Sequence, residues 1–339
     1  MPDLVIDVHS HFVPPACLDE LRRLDPAAAP RLEGDAAAGR GFLLSLEQRF
    51  GPFGRGMFDI EVRLREHEQR RVTIQALSVP PPFFHYTLPP ELAVAFARTI
   101  NDALAETLRA YPDRLVGLAT LPLQDPAAAT AELERVLRES DSVFRGIEIG
   151  TNVNGVNLDD PGLEPVWAAA ERLDAFIFVH PERVAAAGRL QRYYLRNLVG
   201  NPLDTTIAIG SLVFGGVLER YPRLKLCFAH AGGFAPYQVG RFDHGWRKRD
   251  EPRVVIDQPP SSYVRRVYFD TILHNLDGLA YLVKAFGADH LLLGSDYPFD
   301  MGPDDAVAEV EAIPGLGDAE RRAILGQTAA RLLKIQRAE

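Results

Sequence analysis

The sequence predicts an α/β protein with the (β/α)8 barrel fold and a long insertion after its first strand. Eight short apolar runs alternate with segments of helical period. Most of the runs are continuously apolar, as expected for parallel strands that are covered on both faces. The 339 residues fit one elaborated barrel, which needs about 250 residues, so we expect a single domain over residues 1–339. An open doubly wound sheet remains the alternative at this point.

The predicted strands are short runs rich in apolar and β-branched residues. In chain order they are Leu4–His9, Thr73–Val79, Leu115–Leu121, Gly146–Gly150, Phe176–His180, Lys225–His230, Val267–Thr271 and Leu291–Asp296. Strands that alternate with helices imply parallel βαβ units with right-handed crossovers.

Apolar residues recur with a helical period between these strands. The predicted helices include Glu91–Tyr111, Ala127–Glu139, Leu163–Leu173, Ala208–Arg220, Leu276–Phe286 and Asp318–Ile335. Asp125 and Pro126 mark the start of the second helix, because an acidic cap followed by proline suits a first turn. The charged run Arg63–Arg71 also has helical character, and we expect its His67 to be solvated.

The stretch from Val13 to Phe58 is too long for a simple strand-to-helix connection. It is rich in Pro, Ala, Gly and Arg and contains the short apolar piece GFLLSL. Connections of this length in compact domains are usually functional or disordered. We interpret it as an insertion at the mouth of the barrel.

Composition and charge disfavour several classes of partner. The formal charge is −9 without a basic stripe, which argues against a nucleic-acid partner. No apolar run reaches the ~18 residues of a membrane span, and the N-terminus lacks the features of a signal peptide. Only Cys17 and Cys227 are present, so we expect no disulfide framework and a cytoplasmic protein, with Cys227 buried.

Two histidines follow the first predicted strand with a spacing of two. Period two places the side chains of His9 and His11 on one face, which at the end of a barrel strand is the interior. His180 ends the fifth predicted strand and Asp296 ends the eighth. Three imidazoles and one carboxylate suit one divalent ion, with Zn²⁺ favoured and Mn²⁺, Fe²⁺ or Co²⁺ as competitors.

His230 ends the sixth predicted strand, in the segment FAHAGG. It could be a fifth ligand or a neutral imidazole that moves protons beside the ion, and we favour the acid–base role. Asp296, in GSDYPF, could instead be a turn or cap aspartate. Its position after the last strand favours a ligand.

Six motifs taken together resemble the amidohydrolase superfamily. They are IDVHSHF, VGLATLPLQDP, FVHPE, GVLERYPRLKLCFAHAGG, GRFDHGWRKR and LLLGSDYPF. The decarboxylase branch typified by aminocarboxymuconate-semialdehyde decarboxylase is the most similar. The resemblance implies one Zn²⁺ held by His9, His11, His180 and Asp296, with His230 assisting proton transfer. It also implies a homodimer in which Arg241 reaches the neighbouring subunit's active site to hold a substrate carboxylate.

Two positions refine this resemblance. Relatives with two metal ions bridge them with a modified lysine in the fourth strand, whereas Gly146–Gly150 contains no lysine. This favours one ion, although Glu148 could serve as a bridging carboxylate. In the branch named above, a loop arginine holds a substrate carboxylate, and Gly51 occupies that place here. Arg49 or Arg55 could substitute for it, because only an arginine fork holds a carboxylate in a bidentate pair.

The predicted activity is metal-dependent, non-oxidative decarboxylation of a small unsaturated or aromatic carboxylic acid. His230 or Asp296 would supply the proton that replaces the carboxylate. Arg241 of a partner subunit, with Arg49 or Arg55, would orient the acid. Residues predicted to form an apolar wall are Phe12, Phe84, Tyr194 and Phe299. Two alternatives remain: a hydrolase or hydratase acting on a lactone or unsaturated diacid, and a binding module without turnover.

Overall fold

A computed structural model describes residues 4–46, 48–138 and 143–336. Its main sheet has eight parallel strands whose spatial order follows the chain. The strands are Ile6–Asp7, Ile74–Leu77, Leu115–Ala119, Phe144–Gly150, Phe176–His180, Lys225–Phe228, Tyr268–Asp270 and Leu291–Leu292. Each predicted strand overlaps one of these. The single domain over residues 1–339 stays a prediction, and residues 1–3 and 337–339 lie outside the described residues.

The sheet closes between its first and last strands. The backbone N–H of Val8 donates to the carbonyl of Leu293 at 2.9 Å, and the N–H of Asp296 donates to the carbonyl of His9 at 2.9 Å. A parallel bridge joins Ser10 to Tyr297 farther along. These contacts confirm the barrel over the open sheet. They also bring the two segments that carry His9, His11 and Asp296 side by side.

Helices lie between the strands. The α-helices are Pro15–Leu24, Ile60–Gln69, Pro90–Arg109, Pro126–Arg138, Glu164–Leu173, Asn201–Phe214, Val217–Arg220, Ala235–Lys248, Pro260–Val264, Leu276–Phe286, Ala306–Glu311, Asp318–Arg322 and Thr328–Leu332. The predicted cap is confirmed, because Asp125 accepts a hydrogen bond from the N–H of Ala128. Glu139, the last residue predicted for that helix, lies outside the described residues.

Two predicted helices have different bounds in the structure. The segment predicted as Ala208–Arg220 begins at Asn201 and breaks after Phe214, where Gly216 takes a φ of 74°. The segment predicted as Asp318–Ile335 contains a π-helical turn at Ala323–Gln327. Gly326 in that turn packs against the carbonyl of Leu4, where a Cβ would meet the oxygen at 2.1 Å. Tertiary packing therefore determines where these two helices begin and break. The periodicity of apolar residues in the sequence did not predict those positions.

The expectation that His67 is solvated was wrong. Its side chain is buried, and its ring meets the ring of Tyr297 edge-on at 5.4 Å. Residues four apart share one face of a helix, and Arg63 and His67 are both buried on the face that the helix Ile60–Gln69 turns to the barrel. Burial, with the charges of Arg63 and other arginines nearby, lowers the pKa of His67 to about 2.

The insertion after the first strand is folded and lies at the barrel mouth, as predicted. It contains the helix Pro15–Leu24 and a three-stranded antiparallel sheet formed by Arg31–Asp35, Arg40–Ser45 and Gln48–Phe53. Leu43 and Phe53 anchor this sheet in a buried apolar cluster. Phe53 also forms an antiparallel bridge with Phe299, which follows the last barrel strand.

The prediction that Cys227 is buried is confirmed. Cys17 and Cys227 are both buried free thiols. Within the described part of the chain, every helix is too short or too polar to cross a membrane.

Candidate active site

Four side chains from three regions of the barrel converge at its mouth. One potential ligand atom from each of His9, His11, His180 and Asp296 lies within 4.8 Å of the others. The carboxylate Oδ1 of Asp296 is 3.1 Å from Nε2 of His11 and 3.4 Å from Nε2 of His9. The structure thus brings together the four residues that the sequence predicted as ligands.

The backbone after the strands is shaped to permit this convergence. Asp296 takes a φ of 52°, an uncommon conformation for a residue other than glycine. Gly294, just before it, lets the last strand approach the first, because a Cβ there would lie 3.0 Å from the Cβ of His9. Unfavourable backbone of this kind is concentrated at functional sites.

The ligand atoms lack other partners among the described residues. Nε2 of His9, Nε2 of His11 and Oδ1 of Asp296 are buried without a hydrogen-bond partner. Leaving three polar atoms unsatisfied in the interior costs several kcal/mol in total, at ~1–3 kcal/mol each. A divalent ion at their centre would satisfy all three, and the donor set of imidazole nitrogens and one carboxylate oxygen fits zinc or manganese.

Two of the histidines are oriented by a second contact through Nδ1. His9 shares a 2.6 Å hydrogen bond between Nδ1 and Oδ2 of Asp270, and Nδ1 of His180 lies 2.8 Å from the carbonyl oxygen of Pro181. Such contacts direct the other ring nitrogen at a metal ion. Asp270 also accepts from the backbone N–H groups of His230 and Ala231, at 3.0 and 2.7 Å.

Asp270 was not singled out in the sequence, although a signal was present. It is a carboxylate at the end of the seventh predicted strand, within an otherwise apolar and aromatic run. Glu148, which we considered as a bridging ligand, is buried inside the barrel on the fourth strand. Its Oε2 lies 4.0 Å from Nδ1 of His11, the ring nitrogen turned away from Asp296. Burial raises the pKa of the Glu148 carboxyl.

Burial and mutual charge set the pKa values within the cluster. Burial disfavours protonation of His9, but its hydrogen bond with Asp270 and the nearby carboxylate of Asp296 outweigh it and raise the pKa of His9 to about 10. Burial also opposes ionisation of Asp296, yet its contacts with His11 and His9 keep its pKa well below the usual range. A metal ion held here would compete with protons for the cluster, because metal ions bind the deprotonated forms of these side chains.

His230 lies against the same cluster. Its ring centroid is 5.1 Å from that of His180 and 5.4 Å from that of His9. Burial, together with the charge of His9, lowers the pKa of His230 to about 4, so the ring is neutral at pH 7. Its Nδ1 has no hydrogen-bond partner among the described residues.

A cavity of about 160 Å³ opens beside these residues. His180, His230 and Asp296 form its inner end. The rest of its lining is Arg49, Phe50, Gly51, Pro81, Pro181, Glu182, Tyr194, Arg196, Asn197, Asn201, Phe299, Asp300 and Met301. The insertion sheet therefore contributes directly to the wall of this cavity.

Comparison with known proteins identifies the family. Residues 6–335 match the amidohydrolase family model. The chain belongs to the amidohydrolase family. It is 34% identical to a 2-amino-3-carboxymuconate-6-semialdehyde decarboxylase of Dictyostelium discoideum, over 97% of this chain and 91% of that protein. It is 28% identical to a gamma-resorcylate decarboxylase of Rhodococcus jostii, over 83% and 89% of the two chains.

Solved structures agree with the fold. A dihydroxybenzoic acid decarboxylase from Polaromonas sp., crystallised with manganese and the inhibitor 2-nitroresorcinol, superimposes with a TM-score of 0.78 at 24% identity. The match covers 99% of this chain and 98% of that one. The predicted barrel fold is thereby confirmed, and the family model and the relative from Dictyostelium discoideum confirm the family resemblance.

Three of the seven residues predicted to bind substrate line the cavity of this chain, namely Arg49, Tyr194 and Phe299. Phe299 also contacts the ring of His11, with centroids 5.5 Å apart. Arg49 stacks over the ring of Phe42 at 3.4 Å and reaches Oε2 of Glu33 at 3.5 Å. Of the two arginines predicted to substitute at Gly51, Arg49 is the one that the structure places at the cavity, which Arg196 also lines.

The other four predicted residues lie elsewhere. Phe12 and Phe84 are buried in the core outside the cavity lining, Phe84 stacked with Tyr86. Arg55 pairs with Asp59 at 2.6 Å and does not line the cavity. Arg241 is exposed on the helix Ala235–Lys248 and is not part of its own chain's cavity.

Several polar cavity residues were not predicted from the sequence. Glu182, Arg196, Asn197, Asn201 and Asp300 all line the cavity, and they come from segments after the fifth and eighth barrel strands. Their proximity to His180 and Asp296 in the chain was the available signal. Polar residues in long connections are too common for that signal to select them.

Proposed function

We propose that this amidohydrolase is a metal-dependent, non-oxidative carboxy-lyase acting on a small unsaturated or aromatic carboxylic acid. The observation that carries the proposal is the near full-length similarity to a curated decarboxylase at 34% identity. The cluster of His9, His11, His180 and Asp296 gives it a chemical basis. The relatives described above are decarboxylases, which favours this activity over the hydrolase or hydratase alternative.

The four clustered residues would hold one divalent ion, Zn²⁺ or Mn²⁺. A bound ion of this charge supplies a Lewis acid that orients the substrate and polarises its oxygen atoms. Imidazole-rich sites favour zinc, whereas the structural relative from Polaromonas contains manganese. Asp270 and the carbonyl of Pro181 keep His9 and His180 in the ligating orientation.

The reaction exchanges a carboxylate for a proton. The carbon that bears the carboxylate gains a proton, the C–C bond breaks, and its electron pair stays with that carbon while CO₂ leaves. His230 is the group that we propose to carry this proton, with Asp296 as the second candidate. Because His230 is neutral at pH 7, it would first take up a proton from solvent water and then donate it to the carbon that loses CO₂.

The cavity suits a substrate with one ring or an equivalent short chain. A cavity of about 150 Å³ holds a benzene-sized molecule, and this one measures about 160 Å³. We propose that Phe299 and Tyr194 contact the flat part of the substrate and that Arg49 binds a carboxylate. Gly51 lines the same cavity beside Arg49, which is consistent with Arg49 replacing an arginine at position 51.

We further propose a cytoplasmic homodimer in which Arg241 enters the partner's active site. The exposure of Arg241, away from its own cavity, supports this arrangement. Exposed apolar side chains follow the fifth and sixth barrel strands, with Tyr237 in the helix Ala235–Lys248; they include Tyr193, Leu198, Phe234 and Tyr237. A partner subunit that covered them would remove this apolar surface from water.

The test combines metal analysis with CO₂ release from a panel of one-ring aromatic and unsaturated short-chain acids. We expect about one Zn²⁺ or Mn²⁺ per chain, loss of that ion in His9→Ala, and CO₂ from at least one acid. His230→Asn is the matched variant: it should keep the ion while turnover falls by about 10²–10⁴-fold. Metal binding without CO₂ from any acid would contradict the carboxy-lyase, and hydrolysis of a lactone would then identify the alternative.

A further inference from the structure

One arginine next to the proposed metal site is completely buried. Arg63 lies on the helix Ile60–Gln69 with 0% of its surface exposed. Its guanidinium is stacked between two aromatic rings, 4.6 Å from the ring centroid of Tyr297 and 5.3 Å from that of Phe12. Burying a guanidinium is unfavourable unless its donors are satisfied, so its contacts indicate what it holds in place.

The donors of Arg63 bind three close acceptors in the segments around the cluster, and Nη1 also lies 3.5 Å from Oγ of Ser10. Nε donates to the carbonyl of Gly56 at 2.9 Å, and Nη1 donates to Oε1 of Gln75 at 2.5 Å. Nη2 donates to the backbone carbonyl of His11. One rigid, planar group thus joins the end of the insertion, the second barrel strand and a residue of the proposed metal site.

Gln75 extends this network to a second buried charge. Its Nε2 donates to Oδ2 of Asp7 at 2.6 Å. Asp7 in turn accepts from the backbone N–H of His9 at 3.1 Å and from the hydroxyl of Ser295 at 2.5 Å. Ser295 is the residue immediately before Asp296.

The network therefore reaches the backbone beside three of the four clustered residues. His11 is held through its carbonyl by Arg63, His9 through its N–H by Asp7, and Asp296 through the neighbouring Ser295. The cavity is lined by other residues and not by Arg63, Gln75 or Asp7. They cannot contact a substrate there, so any effect on the reaction acts through the clustered residues.

We propose that Arg63 is a positioning residue that, with Gln75 and Asp7, sets the affinity and geometry of the divalent-ion site. The inference rests on the proposed metal site and adds a determinant that lies outside it. Groups that orient ligands through hydrogen bonds typically change metal affinity by about 10–100-fold when removed. A merely structural arginine would alter stability and leave the affinity unchanged.

The test measures the ion directly. Purified Arg63→Met is compared with the wild-type chain for the dissociation constant of Zn²⁺, by competition with a chromophoric chelator, and for the visible spectrum of the Co²⁺-loaded protein. We expect the dissociation constant to rise about 10–100-fold and the Co²⁺ bands to shift or weaken. Arg63→Lys keeps the positive charge but cannot span three acceptors, so it should show the same direction of change.

Leu133→Ala is the control for loss of stability. Leu133 is fully buried on the helix Pro126–Arg138, away from the cluster. Its truncation leaves a cavity and lowers the melting temperature, but the Zn²⁺ affinity and the Co²⁺ spectrum should match the wild type. If Arg63→Met does not fold, Gln75→Met tests the same network with Arg63 in place, and a weaker Zn²⁺ affinity is again expected.

Two results overturn the inference in distinguishable ways. Wild-type affinity and an unchanged Co²⁺ spectrum in the folded variants would refute the positioning role and leave the proposed function intact. A wild-type chain that binds neither Zn²⁺ nor Co²⁺ would refute both the positioning role and the proposed metal site.

Discussion

Replacing His67 should remove a defined part of the acid sensitivity of this protein. The ring is buried, and its Nε2 has no hydrogen-bond partner among the described residues. Its pKa is lowered to about 2 in the folded chain, against an ordinary value of 6.5. The unfolded chain therefore binds a proton below pH 6.5 that the folded chain does not bind until about pH 2.

The sign and size of the effect follow from this difference. Stability that depends on a neutral His67 is fully present above pH 6.5 and is lost as the pH falls towards 2. At pH 5 the loss amounts to about 2 kcal/mol, from about 1.4 kcal/mol per unit over the 1.5 units below 6.5. Leu has a similar volume and no titratable group, so His67→Leu should lose about 2 kcal/mol less than the wild type between pH 8 and pH 5.

Two measurements check this. Urea unfolding gives the free energy of unfolding of each protein at pH 8 and at pH 5. The change between the two pH values is then compared for the two proteins, and the contributions of all other groups cancel in that comparison. Proton uptake on unfolding at pH 5, measured by potentiometry, should be about one proton larger for the wild type. Equal proton uptake by the two proteins would refute the reasoning, because it would mean that His67 titrates alike in the folded and unfolded chains.

Two further predictions concern the active site. Asp270→Asn removes the charged acceptor of His9 Nδ1 and should weaken Zn²⁺ binding about 10–100-fold in chelator competition; an affinity within twofold of the wild type would argue against this role. Arg49→Ala should raise the KM for a carboxylate substrate about tenfold or more, since hydrogen bonds to charged groups contribute about 1.5–3 kcal/mol. Arg55→Ala is the matched control, and it should leave KM unchanged because Arg55 is paired with Asp59 outside the cavity.

The repeating features of this protein could be predicted from sequence because each has a local cause. A parallel strand covered on both faces is mostly apolar along its length, so the eight strands appeared as largely apolar runs. The spacing of His9 and His11 placed both rings on one face. Because barrel strands end at the same rim, His180 and Asp296 could be assigned to the same site before their distance was known.

Long-range contacts decided what the sequence left open. Arg49 and Arg55 are equivalent candidates by composition and position, and only the folding of the insertion brings Arg49 to the cavity. Phe12 and Phe84 flank functional segments in the chain but pack into the core. A local pattern gives no information on which of two neighbouring side chains faces a cavity formed by remote segments.

The charged run Arg63–Arg71 shows most clearly that the burial of a polar side chain cannot be predicted from its neighbours in the sequence. By composition it is a solvated helix face, yet Arg63 and His67 are buried. The reason is that partners far away in the chain receive these polar groups: the backbone carbonyl of His11 accepts from Arg63, and the ring of Tyr297 packs against His67. Periodicity and strand ends predicted the barrel and the four clustered residues, and the resemblance of six motifs predicted the family. Tertiary structure alone decided which charged and polar side chains are buried around them, because a buried polar group is stable only where remote partners satisfy it.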